Sequence, residues 1–165
     1  MSDSFESLFD SPVSLDFKTE EKTVQLKEGE RRNVAILFAD IHGFTNLSEK
    51  LDHETVRDLL DGIFKIFTQS VEKHGGYVDK YSGDEIMALF GAKVASEVDT
   101  QRAVFCGLDI LNKMSEINKK LPSKLQLDAQ EAHLSIRIGI NTGVVTTGRI
   151  GKEREGDFTV YGDAV

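Results

Sequence analysis

The stretch RRNVAILFADIHGFT, residues 31–45, constrains this chain more than any other. Six consecutive apolar residues, 34–39, run directly into a carboxylate, Asp40. An unbroken apolar run of that length, bounded by polar residues, predicts a strand buried on both faces, the central strand of a sheet with helices packed against it. An acid at the end of such a strand needs a partner, because burying an unpaired charge is expensive.

The rest of the chain supplies the elements around that strand. Thr45 is expected to cap a short helix over NLSEKL. Asp52 then opens a longer helix in which Val56, Leu59, Leu60, Ile63, Phe64, Phe67 and Val71 form one apolar face, and His74-Gly75-Gly76 ends it. YVDKYSGDEIMALF predicts two strands, 77–81 and 86–90, joined by a tight turn at 82–85. A third helical pattern, about 97–121, turns Ala103, Cys106, Ile110, Met114 and Ile117 inward, and residues 122–132 read as loop. In HLSIRIGIN the alternation puts Leu134, Ile136, Ile138 and Ile140 on one face of a half-buried strand. Gly143 allows a turn into VVTTGRIG, and a charged loop, 152–157, leads to a last strand at 158–161. The order β-α-α-β-β-α-β-β predicts an α+β domain over 33–165, with the first strand beside the central hairpin and the helices on one face. Residues 1–32 show no sustained period and read as an N-terminal extension or linker; FESLF suits a short partner-binding turn, but its composition favours a solvated tail.

Charge and cysteine usage narrow the function. Twenty Lys and Arg against 28 Asp and Glu give a net charge of -8, which repels nucleic acid and anionic membranes, so no nucleic acid partner is expected. An anionic substrate would need bound cations or backbone N–H groups. The single cysteine, Cys106, cannot form an internal disulfide, which fits a reducing compartment, and its place on an apolar helix face marks it as structural. A cytoplasmic location is expected, leaving room for a membrane-attached parent protein.

In the split β-α-β-β arrangement, Asp40 at the end of the first strand and Asp84 in the hairpin turn reach the same edge of the sheet. Two carboxylates that close repel unless a cation joins them. A few hard oxygen ligands suit Mg²⁺, which completes its shell with water and substrate phosphates. Such a pair can hold two ions about 3.5 to 4 Å apart. Beside it, Gly43 permits close backbone approach, and the helix starting at Thr45 directs free N–H groups outward. Asp40 also suits a phosphoacceptor at a strand end in a doubly wound domain, although the central hairpin argues against that alternation. SGDE taken alone is good turn chemistry. His42 taken alone is a loop residue.

Four segments together, ILFADIHGFTNLSEKL, GGYVDKYSGDEIMALFG, IRIGINTGVVTTGRIG and DFTVYGDAV, resemble the catalytic domain of class III nucleotidyl cyclases, in order and at matching spacing from about Arg32 to Val165. The resemblance implies a ferredoxin-like, polymerase-palm sheet with helices packed on it, the class III cyclase fold, assembled as a homodimer with active sites at the interface. It assigns Asp40 and Asp84 to two Mg²⁺ or Mn²⁺ ions, with the backbone of Ile41 lining the metal site. It assigns His42, Gly43, Phe44 and Thr45 to the β and γ phosphates, and Lys80 and Thr159 to the base. An ammonium donates to adenine N1 and a threonine oxygen accepts from the 6-amino group, whereas guanine's two donors would want a carboxylate where Lys80 stands. ATP is the expected substrate, and attack of the ribose 3′-oxygen on the α-phosphorus the expected reaction.

In the family an asparagine, an arginine and a later lysine follow the equivalent of GDAV. The resemblance therefore implies that 33–165 is the N-terminal portion of a catalytic domain, with turnover impaired by the loss of transition-state donors; the reading leaves room for an upstream regulatory domain or partner. Two other functions stay open on the sequence: a diguanylate or guanylate cyclase, and a non-catalytic nucleotide-binding or dimerisation module that regulates a partner.

Overall fold

Capping and periodicity set the helices, and pairing sets the strands. The computed structural model describes residues 6–9, 24–25, 29–150 and 157–165. A 3-10 turn at Glu6–Leu8 and strand β1, Val24–Gln25, precede the long strand β2, Arg31–His42. Helices α1, Phe44–Ser48, and α2, His53–Lys73, lead to the hairpin β3, Tyr77–Ser82, and β4, Glu85–Phe90. Then come β5, Val94–Ala95, helix α3, Asp99–Leu125, and strands β6, Ser135–Ile150, and β7, Asp157–Tyr161.

The main sheet has the order β3-β4-β2-β6-β7, and each neighbouring pair is antiparallel. β1 pairs with β5 in a separate two-stranded ribbon. The apolar run of β2 is the spine: Ala35, Leu37, Ala39 and Ile41 point to the face covered by α2 and α3, and Val34 and Ile36 to a smaller cluster with Met87, Leu89, Val145 and Val160. The expected α+β sheet, with first strand and hairpin adjacent and helices on one face, is what forms.

Asp52 caps α2 as expected, accepting the Thr55 N–H at 2.9 Å and the Thr55 hydroxyl at 2.7 Å. Leu59, Ile63, Phe67 and Val71 are buried along it. Between α2 and α3 lies a largely buried polar network. Lys113 donates to Ser70 at 2.7 Å and pairs with Asp109 at 3.1 Å, and His74 Nε2 lies 3.7 Å from Asp109. Burial lowers the His74 pKa against the opposing pull of Asp109. The Cys106 thiol, also buried, is pushed up to about 12 by desolvation, so it is an inert core group.

Four expectations are corrected. β2 does not end at Ala39 but continues through Asp40 to His42, because β6 pairs with it along its whole length. Gly143 makes no turn. It lies opposite Val34, and β6 runs straight from Ser135 to Ile150. Residues 122–125 are helix, not loop: Pro122 stands inside the last turn of α3, and its carbonyl accepts from Gln126 and Leu127. Asn118 then clamps the following segment through two bonds to the Leu134 backbone, at 2.6 and 3.0 Å.

FESLF is the fourth correction. Leu8 is buried in the main core, Phe9 lies over Gly62 of α2, and the Ser7 carbonyl accepts from Lys120 of α3 at 3.0 Å. Composition hid this because two apolar side chains suffice once a groove exists for them. Leu8→Ala should lower unfolding stability by about 2–5 kcal/mol, the usual range for emptying a buried leucine site. Urea unfolding checks this, and an unchanged midpoint would return the segment to solvent.

On the helix side the sheet is covered unevenly. Val104, Leu108 and Leu111 of α3, Ile140 and Val144 of β6, and Tyr161 of β7 stay between 37% and 54% exposed. Gly107 approaches Ile140 at the border of this strip. Among the described residues no helix is long and apolar enough to cross a membrane.

Candidate active site

Asp40 sits within β2, and its register sets its neighbours. Its Cα partners are Glu85 on β4 and Arg137 on β6, and Glu85 in turn pairs with Ser82. Side chains directly opposite in an antiparallel sheet share a face. A polar row, Ser82, Glu85, Asp40 and Arg137, therefore crosses four strands on the side away from α2 and α3.

Within that row the Asp40 carboxylate is already engaged with positive charge. Arg137 Nη2 donates to Asp40 Oδ2 at 2.7 Å, and His42 Nε2 lies 3.4 Å from the same oxygen. The Arg137 side chain is 68% exposed, so the pair is a surface one and adds little to stability. Asp84 lies in the turn immediately before Glu85, where Gly83 takes φ 62. The Ile41 N–H donates to the Asp84 carbonyl at 3.0 Å. The expected approach of the Asp40 and Asp84 segments is therefore met at the backbone level.

Glu85 and Arg137 were missed by the sequence reading. Glu85 passed for a turn residue and Arg137 for a solvent-facing position in an alternating strand. The cross-strand register of HLSIRIGIN against ILFADIH was the signal that would have exposed both.

Residues 42–45 differ from expectation in detail. Gly43, not Thr45, takes the N-cap position of α1, with φ 91 and no side-chain cap. Thr45 lies inside the helix, and its carbonyl accepts from Ser48 and Glu49. α1 has only five residues, too short for a sizeable helix dipole. Gly43 is required on two counts: its left-handed φ, and a close approach in which an added Cβ would lie 2.8 Å from the His133 carbonyl oxygen. His42 and Phe44 are half-buried, with the Phe44 ring against the main core.

The base-site residues are not brought onto neighbouring strands. Lys80 is exposed on β3, opposite Met87. Thr159 lies on β7, opposite Gly148. These strands are the two edges of the main sheet, so a single purine touches both only if the sheet's twist turns its edges toward each other.

Among the described residues no group of three or more His, Cys, Asp or Glu is placed to hold a metal ion unaided. Two aspartates, one within β2 and one in the adjoining β3–β4 turn, with Asp40 drawing a guanidinium to itself, nevertheless fit a hard divalent cation that takes its other ligands from water and phosphate. That donor set does not suit a soft metal.

The adenylate and guanylate cyclase catalytic-domain model matches residues 26–165. Adenylate cyclase 1 of Rhizobium meliloti (strain 1021) is 29% identical over 135 residues, covering 82% of this chain and 20% of the relative. An adenylate cyclase of Anabaena cylindrica is 30% identical over 147 residues, covering 87% of this chain and 28% of the relative. The chain thus spans less than a third of the length of these curated relatives. Among solved structures, the guanylyl cyclase Cya2 aligns with a TM-score of 0.72 and 37% identity over 84% of this chain and 68% of that one. The adenylyl cyclase CyaB from P. aeruginosa aligns with a TM-score of 0.75 and 32% identity, over 84% and 70% respectively.

Proposed function

The chain belongs to the adenylate and guanylate cyclase catalytic-domain family, and from that premise we propose that it binds ATP with divalent cations at the Asp40–Asp84 edge and forms 3′,5′-cyclic AMP and pyrophosphate. The observation that carries the reading is the Ile41 N–H bond to the Asp84 carbonyl, which joins the two aspartate segments at one end of the sheet.

In this reading Asp40 and Asp84 hold two Mg²⁺ or Mn²⁺ ions, with the backbone of Ile41 beside them. Bound cations there supply positive charge that eases formation of the 3′-oxyanion and neutralises the departing pyrophosphate. Arg137, released from Asp40 when the carboxylate takes a cation, is free to face phosphate oxygens. The backbone of residues 42–45 lies close to the β and γ phosphates, and Gly43 keeps that approach open. Lys80 donates to adenine N1 and Thr159 accepts from the 6-amino group, with the sites completed in a homodimer. No covalent intermediate on the protein is required.

The test is incubation of the chain, extended to the length of a solved cyclase domain, with ATP and Mg²⁺ or Mn²⁺, followed by identification of the product. Cyclic AMP with equimolar pyrophosphate is expected. Absence of any cyclic nucleotide would favour a regulatory, non-catalytic module. A second reading, cyclisation of GTP, draws support from the 37% identity to the guanylyl cyclase Cya2. Direct competition between the two triphosphates separates the two, and Lys80 weighs toward ATP.

A further inference from the structure

Lys80 reaches the site from an irregular strand. In the β3–β4 hairpin, Val78 lies opposite Ala88 and Lys80 opposite Met87, so Asp79 is one residue too many and forms a β-bulge. A bulge interrupts the ladder and re-aims the side chains beside it. β3 is also an edge strand, paired only with β4 in the sheet, and its residues from Lys80 to Ser82 are exposed. Pairing on one side, broken just before Lys80, is slender support for a side chain that must meet a base edge at hydrogen-bond distance.

The next residue supplies an anchor. Met87 belongs to the cluster on the face away from α2 and α3, whereas Tyr81 lies opposite Ile86, which is buried in the core beneath those helices. Lys80 and Tyr81 therefore leave the strand on opposite sides. The Tyr81 ring centroid lies 5.2 Å from that of Phe64 on α2, and Phe64 packs edge-on against the buried Phe67 at 6.4 Å. The Tyr81 hydroxyl lies 2.6 Å from Thr68 Oγ1. Thr68 gives its single hydroxyl proton to the Phe64 carbonyl at 2.9 Å, so in the pair with Tyr81 the tyrosine O–H donates and Thr68 accepts. Two hydrogen bonds thus run in series from the edge strand to the backbone of α2, and bonds in series polarise and strengthen each other. Tyr81 stays 51% exposed, so what it gains by this is direction more than burial.

We propose that Tyr81, tied to α2 through Thr68 and Phe64, orients the segment of β3 that presents Lys80 and so acts as a positioning residue for purine selection. The inference rests on the reading of Lys80 as a base contact. Neither Tyr81 nor Thr68 touches substrate in it.

Competition of ATP and of GTP against a fluorescent methylanthraniloyl nucleotide, in the presence of Mn²⁺, gives the preference as the ratio of affinities, ATP over GTP. Tyr81→Phe keeps the ring on Phe64 and leaves Thr68 its bond to the Phe64 carbonyl, so the thermal midpoint should hardly move. The ratio should fall by about three- to tenfold, the scale of one net hydrogen bond, through weaker ATP binding with GTP binding nearly unchanged. Thr68→Val should give the same fall, and the two together no more than either alone, because both remove one bond. Thr68→Ser, which retains the hydroxyl, should keep the parent ratio. If Tyr81→Phe leaves the ratio unchanged or weakens both nucleotides alike, or if the double variant shows the sum of the two effects, the proposal is overturned. Lys80→Glu separates the two levels. If it changes the ratio while Tyr81→Phe does not, only the role of Tyr81 falls. If it leaves the ratio untouched, the base-site reading falls and takes this inference with it.

Discussion

Asp40→Asn is expected to lower cyclic AMP formation by about 10³-fold or more, on the scale of losing a principal electrostatic contact to the transition state. Asparagine keeps the shape and one oxygen but removes the charge that a divalent cation needs. The effect should resist rescue by raised Mg²⁺ and fall mainly on turnover, because the loss concerns charge that develops during reaction. Stability should hardly change, since the Arg137 side chain that pairs with Asp40 is largely exposed and such pairs contribute about 0–1 kcal/mol. Product formation measured by chromatography, beside a thermal melt of the same protein, makes the check. A variant that folds and turns over at the parent rate would remove Asp40 from the mechanism.

The second large effect is one of selectivity. Lys80→Glu replaces the donor proposed to face adenine N1 with an acceptor, and it should lower the ratio of kcat/KM for ATP over GTP by about 10³-fold or more, since mispaired polar groups in a built site reject a substrate by up to ~10⁴–10⁵. Lys80 is exposed on an edge strand, so the exchange imposes no burial cost. Turnover with each triphosphate, measured separately, gives the ratio. An unchanged ratio in an active variant would mean that the base is read elsewhere, with Thr159 on the opposite edge strand the next residue to examine.

Local chemistry was legible in the sequence, and long-range pairing was not. Both ends of α2 were readable because Asp52 and the His74-Gly75 region act on their own backbone neighbours. The hairpin turn was readable for the same reason. By contrast, the ends of β2 depend on β6, about a hundred residues later, and nothing near His42 announces that the strand continues. Gly143 looks like a turn by its own preference, but its place opposite Val34 outweighs that preference. Pro122 marked a helix end that buried Leu121 and the capping of Gln126 carry one turn further.

The site divides along the same line. Asp40 drew attention as an acid against an apolar run, and Asp84 through a turn signature, both visible in one dimension. Glu85 and Arg137 matter only through the residues opposite them, so they emerge once register is known. The bulge at Asp79 is equally silent in YVDKYS, because a strand with one extra residue has the same composition as one without.

The half-bare strip formed by Val104, Leu108, Leu111, Ile140, Val144 and Tyr161 has a consequence for how the isolated polypeptide behaves in solution. Attraction between such surfaces is largely entropic near room temperature and weakens on cooling, so the molecule is best stored cold and dilute. Warming strengthens that attraction. Its net charge of -8 opposes that clustering only until salt shortens the reach of the repulsion, which makes low ionic strength the gentler medium.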